Sequence, residues 1–178
     1  FNVGGTGVDF ISRSMLLEKK KLEKTINFSF SNKTLLVTYH PVTLDDNTSE
    51  KQFGELLEAL DSYQDFKIIF TKPNSDSYGR VIIYMIDHYI SLNKQRSISF
   101  VSMGQINYLS TLQFVKGVIG NSSSGLLEAP SFKIGTINIG DRQRGRVKAK
   151  SVIDCASNRK SIKSAIKKML SKKFQDSL

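Results

Sequence analysis

The chain has 178 residues, 39% of them hydrophobic, which is enough for one complete hydrophobic core, so we expect a single domain over residues 1–178. Its single cysteine, Cys155, excludes an internal disulfide and a cysteine-rich metal site, and favours a reducing compartment. The sequence contains no apolar run of about 18 residues and no signal-peptide pattern, so it predicts a soluble, cytoplasmic protein that does not contact the membrane.

A net charge of +10 makes nucleic acid a partner to consider. The basic residues lie mainly in three stretches, residues 13–24, 142–150 and 159–173. The first and third lack the interleaved aromatic residues that stack on bases, and they are predicted to be solvated helical faces. The middle stretch follows a predicted strand and lies in a loop. We therefore expect no nucleic-acid partner.

The elements are predicted from hydrophobic periodicity, taken in chain order. The chain begins without Met and passes into a glycine-rich segment, residues 3–9, which we interpret as the start of a fragment of a longer protein. Helical patterns cover residues 7–24, 53–60, 78–92, 105–112 and 162–170. Short apolar runs cover residues 35–39, 67–70, 98–101, 117–119, 136–139 and 152–153. Such runs are typical of strands buried on both faces, so the alternation predicts an α/β fold: a Rossmann-like parallel six-stranded sheet with helices on both faces.

Polar residues follow four of the predicted strands. His40 follows the first, Asn74 the second, the serine turn of residues 120–125 the fourth, and Arg142 the fifth. Because ligands of doubly wound sheets bind at the carboxyl ends of the strands, these residues are expected to meet at one binding site.

The serine turn, Gly120-Asn121-Ser122-Ser123-Ser124-Gly125, leads from a strand into a helix. Its hydroxyls, the free backbone N–H groups of the helix start and the glycines together suit a phosphate or diphosphate. The alternative is a plain helix N-cap, since serine is common there. The turn therefore favours a nucleotide or another phosphorylated ligand.

Three further side chains, His40, Arg142 and Asn74, have both a functional and an ordinary interpretation, and Glu128 has a functional one. His40 is a phosphate partner or proton carrier, or only a turn residue. Arg142 is a bidentate phosphate ligand or a solvated loop arginine. Asn74 holds a loop or ligand, or is a common turn residue after proline. Glu128, four residues after Ser124, would face the turn and accept hydrogen bonds from ribose hydroxyls.

Other chemistries lack their sequence signatures. No set of His, Cys and Asp has metal-ligand spacing, and neither a Ser/His/Asp triad nor a P-loop motif is present. We therefore expect no metal and no cofactor. Asp76 and Asp141 are interpreted as loop acids.

Four segments together resemble the C-terminal half of the UDP-N-acetylglucosamine 2-epimerases, and the likeness runs from Val3 to about Lys173 in order. The segments are Val37-Thr38-Tyr39-His40-Pro41-Val42-Thr43, Phe70-Thr71-Lys72-Pro73-Asn74-Ser75-Asp76, Ile119-Gly120-Asn121-Ser122-Ser123-Ser124-Gly125 with Glu128, and Ile137-Asn138-Ile139-Gly140-Asp141-Arg142-Gln143-Arg144-Gly145-Arg146. The non-hydrolysing branch typically has Thr-Glu-Arg-Pro-Glu where this chain has its arginine-rich run after Gly140. That difference favours the hydrolysing branch, which forms N-acetylmannosamine or a close analogue, plus UDP, for sialic or related nonulosonic acids.

The resemblance implies a glycosyltransferase-B type enzyme with two Rossmann-like domains, of which this chain is the C-terminal, UDP-binding one. The reaction implied is elimination of UDP across the sugar C1–C2 bond, followed by hydration of the glycal. The catalytic base would lie in the N-terminal domain, which is absent from this chain, so the chain alone is expected to be inactive. The full-length enzyme is expected to bind a UDP-sugar and to be a homo-oligomer. The alternatives are a non-hydrolysing UDP-sugar 2-epimerase and a nucleotide-sugar-binding domain of a glycosyltransferase.

The resemblance also implies a role for each matching residue. His40, the one candidate catalytic residue, would lie near the glycosidic phosphate, where it neutralises the charge of the departing UDP. The other UDP-binding residues implied are Ser122 and Ser123 for the diphosphate, Arg142 for the phosphate side, Glu128 for the ribose, Asn74 for the loop beneath the nucleotide, and the backbone of Phe100 and Val101 for the uracil.

Overall fold

The computed structural model describes residues 6–42 and 48–178 and has, over these residues, a six-stranded parallel sheet between two layers of helices. The strands are β1 (Thr34–Thr38), β2 (Lys67–Thr71), β3 (Ser97–Phe100), β4 (Gly117–Gly120), β5 (Gly135–Ile139) and β6 (Val152–Cys155). Each coincides with a predicted apolar run to within two residues at either end. Residues 3–5 of the glycine-rich segment and Thr43 of the first motif lie outside the described residues.

Helices fill most of the connections between the strands. They are α1 (Thr6–Arg13), α2 (Lys19–Ile26), α3 (Thr48–Asp61), α4 (Ser77–Leu92), α5 (Gln105–Leu112), α6 (Ser124–Leu127), a 3₁₀ turn (Ala129–Phe132), α7 (Arg159–Leu170) and α8 (Lys172–Gln175). Within the described residues no helix combines the length and the apolar character that crossing a membrane requires.

The strand order is β3-β2-β1-β4-β5-β6, and every neighbouring pair is parallel. This is the order of a doubly wound sheet, and it confirms the predicted fold class. The direction of winding reverses between β1 and β4, which pair with Thr38 opposite Gly120. Because the loops after these two strands leave toward opposite faces, a crevice forms at their carboxyl ends.

The central strands β1, β4 and β5 are buried on both faces of the sheet, and consecutive residues of each strand point to opposite faces. On β1, Leu35 and Val37 belong to a cluster with residues of α3, α4 and α7. Leu36, between them, belongs to a second cluster with residues of α2 and α5. This explains why the strands read as unbroken apolar runs rather than as alternating patterns.

The helical pattern predicted over residues 7–24 is interrupted in the structure. The chain forms two helices, α1 and α2, with a break between Arg13 and Lys19. Ser14 Oγ donates to the Phe10 carbonyl at 2.6 Å, and Leu17 N–H donates to Ser110 Oγ of α5 at 2.9 Å. The break is therefore attached to another helix, a contact that local periodicity does not reveal.

Candidate functional site

A cavity of about 590 Å³ opens at the carboxyl ends of the strands, where the sheet topology places the crevice. Loops that follow four strands form its walls. Its polar lining includes His40 after β1, Asn74 and Asp76 after β2, Asp141 and Arg142 after β5, and Ser157 after β6. The cavity thus has imidazole, amide, carboxylate, guanidinium and hydroxyl groups on one surface, which suits a polar, charged ligand.

Asn121, the first residue after β4, joins the two loops of the crevice. Its side-chain Oδ1 accepts from the His40 backbone N–H at 2.7 Å, and its Nδ2 donates to the His40 carbonyl at 2.8 Å. The Asn121 side chain is almost fully buried, with 1% exposure. The amide therefore pairs with the backbone of His40 as a neighbouring strand would.

The loop after β5 is held by the same residue. Arg142 Nη1 donates to the Asn121 carbonyl at 3.1 Å, and Gln143 Nε2 donates to that carbonyl at 2.8 Å. Gln143 is 2% exposed although its neighbours Asp141 and Arg144 are exposed. Three loops, those after β1, β4 and β5, are thus connected through one asparagine.

The electrostatics of the cavity favour the neutral form of His40. Burial lowers the pKa of the imidazole below 6.5, and the positive charge of Arg142 lowers it further. An anionic ligand between these two groups would have the opposite effect, because it favours the imidazolium form. Asp76 is less available than its position suggests, since it is the N-cap of α4 and its Oδ1 accepts from Gly79 N–H at 2.7 Å.

The serine turn is half-buried and lies beside the cavity rather than in its lining. The helix after it, α6, is a single turn, because Pro130 follows within a 3₁₀ turn. The N–H groups of Leu126 and Leu127 both bond the Ser123 carbonyl, and Ser124 N–H is directed at Ser122 Oγ at 3.4 Å. The free backbone N–H groups expected at the start of a helix are therefore limited to the first residues of the turn. Contacts to a phosphate at this turn would come mainly from the serine hydroxyls.

Glu128 ends the single turn of α6, and its N–H bonds the Ser124 carbonyl at 2.9 Å. It is half-buried, and burial raises the pKa of its carboxyl. Ser124 Oγ makes a short hydrogen bond with the Tyr108 hydroxyl, and burial raises the pKa of that phenol to about 12. The negative charge of Glu128 also contributes to this shift, so Glu128 and Tyr108 are close together near the serine turn.

The remaining predicted residues lie at the same edge of the sheet. Asn74 is exposed and lines the cavity. Phe100 ends β3, and its carbonyl accepts from Lys72 N–H at 2.8 Å, whereas the next residue, Val101, is largely exposed. Of the eight predicted residues, the cavity brings together His40, Asn74 and Arg142; Ser122, Ser123, Glu128, Phe100 and Val101 are not in its lining.

Sequence reasoning did not single out three residues that organise this site: Asn121, Gln143 and Tyr108. One signal for Gln143 was available, because it is the uncharged residue between two arginines in an exposed loop. Asn121 is the single amide in a turn of serines and glycines. Tyr108 gave no local signal, since it fits an ordinary amphipathic helix. Over the described part of the chain no group of three or more His, Cys, Asp or Glu side chains could hold a metal ion.

Comparisons with known proteins agree with this fold. The chain is 38% identical over 175 residues to the GDP/UDP-N,N'-diacetylbacillosamine 2-epimerase (hydrolyzing) of Campylobacter jejuni, a match that covers 98% of this chain and 45% of that enzyme. It is 35% identical to the polysialic acid biosynthesis protein P7 of Escherichia coli, covering 98% of this chain and 44% of that protein. It also superimposes on the UDP-GlcNAc 2-epimerase of Methanocaldococcus jannaschii, crystallised with UDP-GlcNAc and UDP, with a TM-score of 0.73 at 20% identity over 98% of this chain and 49% of that one.

The chain spans about half the length of each of these proteins. The sequence profile of one family, UDP-N-acetylglucosamine 2-epimerase, matches residues 1–177. This match extends over the whole fold described above, including the loops that form the cavity. The chain therefore belongs to the UDP-N-acetylglucosamine 2-epimerase family.

Proposed function

We propose that this chain binds the UDP part of a nucleotide sugar within a hydrolysing UDP-sugar 2-epimerase. The observation that carries the proposal is the cavity at the reversal point of the sheet, where His40 and Arg142 line one wall. A diphosphate needs cationic or hydrogen-bonding partners that are fixed in advance, and Asn121, a buried residue, bonds both the backbone of His40 and the side chain of Arg142. The 38% identity to an enzyme named as hydrolysing supports the same reaction class.

The proposed placement of the nucleotide follows the edge of the sheet. The diphosphate would lie between Arg142 and the hydroxyls of Ser122 and Ser123, which are adjacent in sequence to the residue that holds Arg142. The ribose would lie toward Glu128. The uracil would lie at the backbone of Phe100 and Val101, beyond the end of β3. Asn74, exposed on the cavity wall, would support the loop beneath the nucleotide.

The proposed reaction is elimination followed by hydration. A base removes the proton from C2, the bond between C1 and the phosphate oxygen breaks, and UDP leaves with the electron pair of that bond. Water then adds across the C1–C2 double bond of the glycal to give the free 2-epimeric sugar. His40, on the phosphate side, would take up a proton as the ligand binds and would offset the charge on the departing UDP. The base would come from the part of the enzyme that this chain does not include.

The finer assignments belong to the same proposal. The sugar would be UDP-N-acetylglucosamine or a diacetylated relative, and the product would feed the synthesis of sialic or related acids. The enzyme would work in the cytoplasm as a homo-oligomer and would need no cofactor. The names of the two bacterial relatives, which concern diacetylbacillosamine and polysialic acid, support this range of sugars.

Titration calorimetry with UDP, UMP and uridine tests the proposal on the chain itself. We expect measurable UDP binding that is tighter than UMP binding, because only UDP supplies the second phosphate. Replacing Ser122 and Ser123 together by Ala should weaken UDP binding by about 1 to 3 kcal/mol, the usual scale for hydrogen bonds to a charged group. Ser62→Ala with Ser91→Ala is the matched control, since both serines are exposed, the first in the turn after α3 and the second on α4. Equal affinity for uridine and UDP would remove the phosphate role from this site.

A further inference from the structure

We propose that Asn121 is a positioning residue that holds His40 and Arg142 at the spacing a diphosphate requires. This inference rests on the function proposed above. Asn121 does not line the cavity, and its side chain is buried, so it acts through its neighbours rather than on the ligand. No other residue of the described structure is bonded to both His40 and Arg142.

The side chain of Asn121 is chemically specific for this task. It must accept from the His40 N–H at 2.7 Å and donate to the His40 carbonyl at 2.8 Å at the same time. An aspartate has the acceptor but lacks the donor, and serine is too short to make both bonds. The two bonds cross the crevice between β1 and β4, so they fix the His40 backbone relative to the turn after β4.

The backbone of Asn121 fixes the second group. Its N–H donates to the Thr38 carbonyl at 3.2 Å, which attaches the residue to the end of β1. Its carbonyl accepts from Arg142 Nη1 and from Gln143 Nε2, which uses both oxygen lone pairs. A guanidinium has five N–H donors, so Arg142 keeps others for a ligand after this bond is made. If the Asn121 side chain were released from His40, this carbonyl would move and Arg142 with it.

The control for a purely structural effect is Asn138. Like Asn121, it is a buried asparagine, with 2% exposure. Its Nδ2 donates to Asp154 Oδ1 at 2.7 Å, and this hydrogen bond connects β5 to β6. It makes no contact with His40 or Arg142 in the described structure. Both variants remove a buried amide, with two side-chain hydrogen bonds lost in Asn121→Ser and one in Asn138→Ser, but only the first should disturb the phosphate side of the cavity.

The experiment compares these two variants with the unmodified chain. We expect both variants to have a lower unfolding midpoint. Asn121→Ser alone should weaken UDP binding, by at least tenfold. Its uridine affinity, followed by NMR, should change less than twofold. In the ligand-free protein, NMR titration should show that the pKa of His40 rises toward 6.5 in Asn121→Ser, because the imidazole becomes better solvated and is less close to Arg142. It should stay at its original value in Asn138→Ser.

Two further measurements keep the test decisive. If Asn121→Ser does not fold, Gln143→Met is the second variant, because it removes one hydrogen bond to the Asn121 carbonyl. Its cost in stability is low because Gln143 Oε1 has no partner among the described residues. We expect a two- to fivefold loss of UDP affinity. If the unmodified chain binds no UDP, the proposed function fails, and the His40 titration still tests the positioning role. An unchanged His40 pKa in Asn121→Ser, or an equal loss of UDP and uridine affinity, would overturn the inference.

Discussion

At the scale of single residues, the site is arranged around one neutral imidazole. His40 is half-buried at the end of β1, and burial and Arg142 both lower its pKa below 6.5. Asp76 and Asp141 also line the cavity, but the first already caps α4. If an imidazole that is neutral in the empty site becomes charged when an anion binds, binding takes up a proton.

We therefore predict that UDP binding is accompanied by proton uptake at His40. Because the bound diphosphate raises the pKa that burial and Arg142 had lowered, affinity should increase as the pH falls from about 8 to about 6. Calorimetry in buffers of different ionisation enthalpy measures the protons taken up. The terminal phosphate of UDP also takes up a proton in this pH range, so the same calorimetry on His40→Asn is the required control. Equal proton uptake by the two proteins would show that the imidazole does not titrate with binding.

The same shift has an effect on the stability of the ligand-free protein. The unfolded chain binds a proton at this histidine more readily than the folded chain does, since its pKa is 6.5 when unfolded and lower when folded. Stability that depends on neutral His40 is therefore present above about pH 6.5 and is lost as the pH falls below it. In His40→Asn the free energy of unfolding should lack this part of its pH dependence.

At the scale of elements, two strand ends approach unusually closely at the crevice. Gly120, the last residue of β4, has a φ of 146°, and a Cβ placed there would lie 1.9 Å from the Thr38 carbonyl oxygen. The next residue, Asn121, bonds that same carbonyl. The absence of a side chain at Gly120 therefore allows the turn after β4 to approach β1.

We predict that Gly120→Ala destabilises the protein by about 3 kcal/mol or more, because the new methyl group meets backbone that cannot move without separating β1 from β4. The matched control is Gly54→Ala in α3. A Cβ at Gly54 meets only Met85 Cε, at 3.7 Å, and alanine favours a helix over glycine by about 0.5 to 1 kcal/mol. Chemical denaturation of both variants should give opposite signs. A destabilising Gly54→Ala, or a neutral Gly120→Ala, would contradict the account.

At the scale of the whole molecule, much of the positive charge lies on outer helices that do not line the cavity. The lysines of α2 and of α7 are mostly exposed, as the solvated-face interpretation predicts, and Leu22 and Ile162 on the same helices are buried. The cavity itself mixes His40 and Arg142 with Asp76 and Asp141. Of the three basic stretches, the first and third thus lie mainly on outer helices, whereas the second, residues 142–150, belongs to the loop that carries Arg142.

We predict that the purified 178-residue chain binds UDP but does not turn over UDP-N-acetylglucosamine or UDP-N,N'-diacetylbacillosamine. Removing the C2 proton and expelling UDP requires groups on opposite faces of the sugar, and a chain that spans 45% of a related enzyme contributes one wall of a cleft. Assay of released UDP by chromatography checks this. In an enzyme of full length, His40→Asn should reduce turnover by about 100-fold or more. Turnover by the isolated chain would contradict the prediction.

Local sequence patterns were sufficient for the positions of the strands along the chain, for a parallel sheet and for the residues at the carboxyl ends of the strands. Each of the six apolar runs, which are two to five residues long, lies in a strand, and burial on both faces explains the continuous hydrophobic signal of the central strands β1, β4 and β5. His40 and Arg142 were identifiable because parallel strands bring the residues that follow them to one edge. Glu128 was placed near the serine turn because its spacing from Ser124 is one helical turn.

What could not be read from the chain depends on contacts between distant residues. The break between α1 and α2 is held by a bond from Leu17 to Ser110, 93 positions away, and Asn121 meets His40 across 81 positions. Gln143 is buried within a charged loop, where its Nε2 donates a hydrogen bond to the Asn121 carbonyl. Periodicity reports how each segment faces its immediate surroundings, whereas these bonds exist only after the sheet has brought separate loops together.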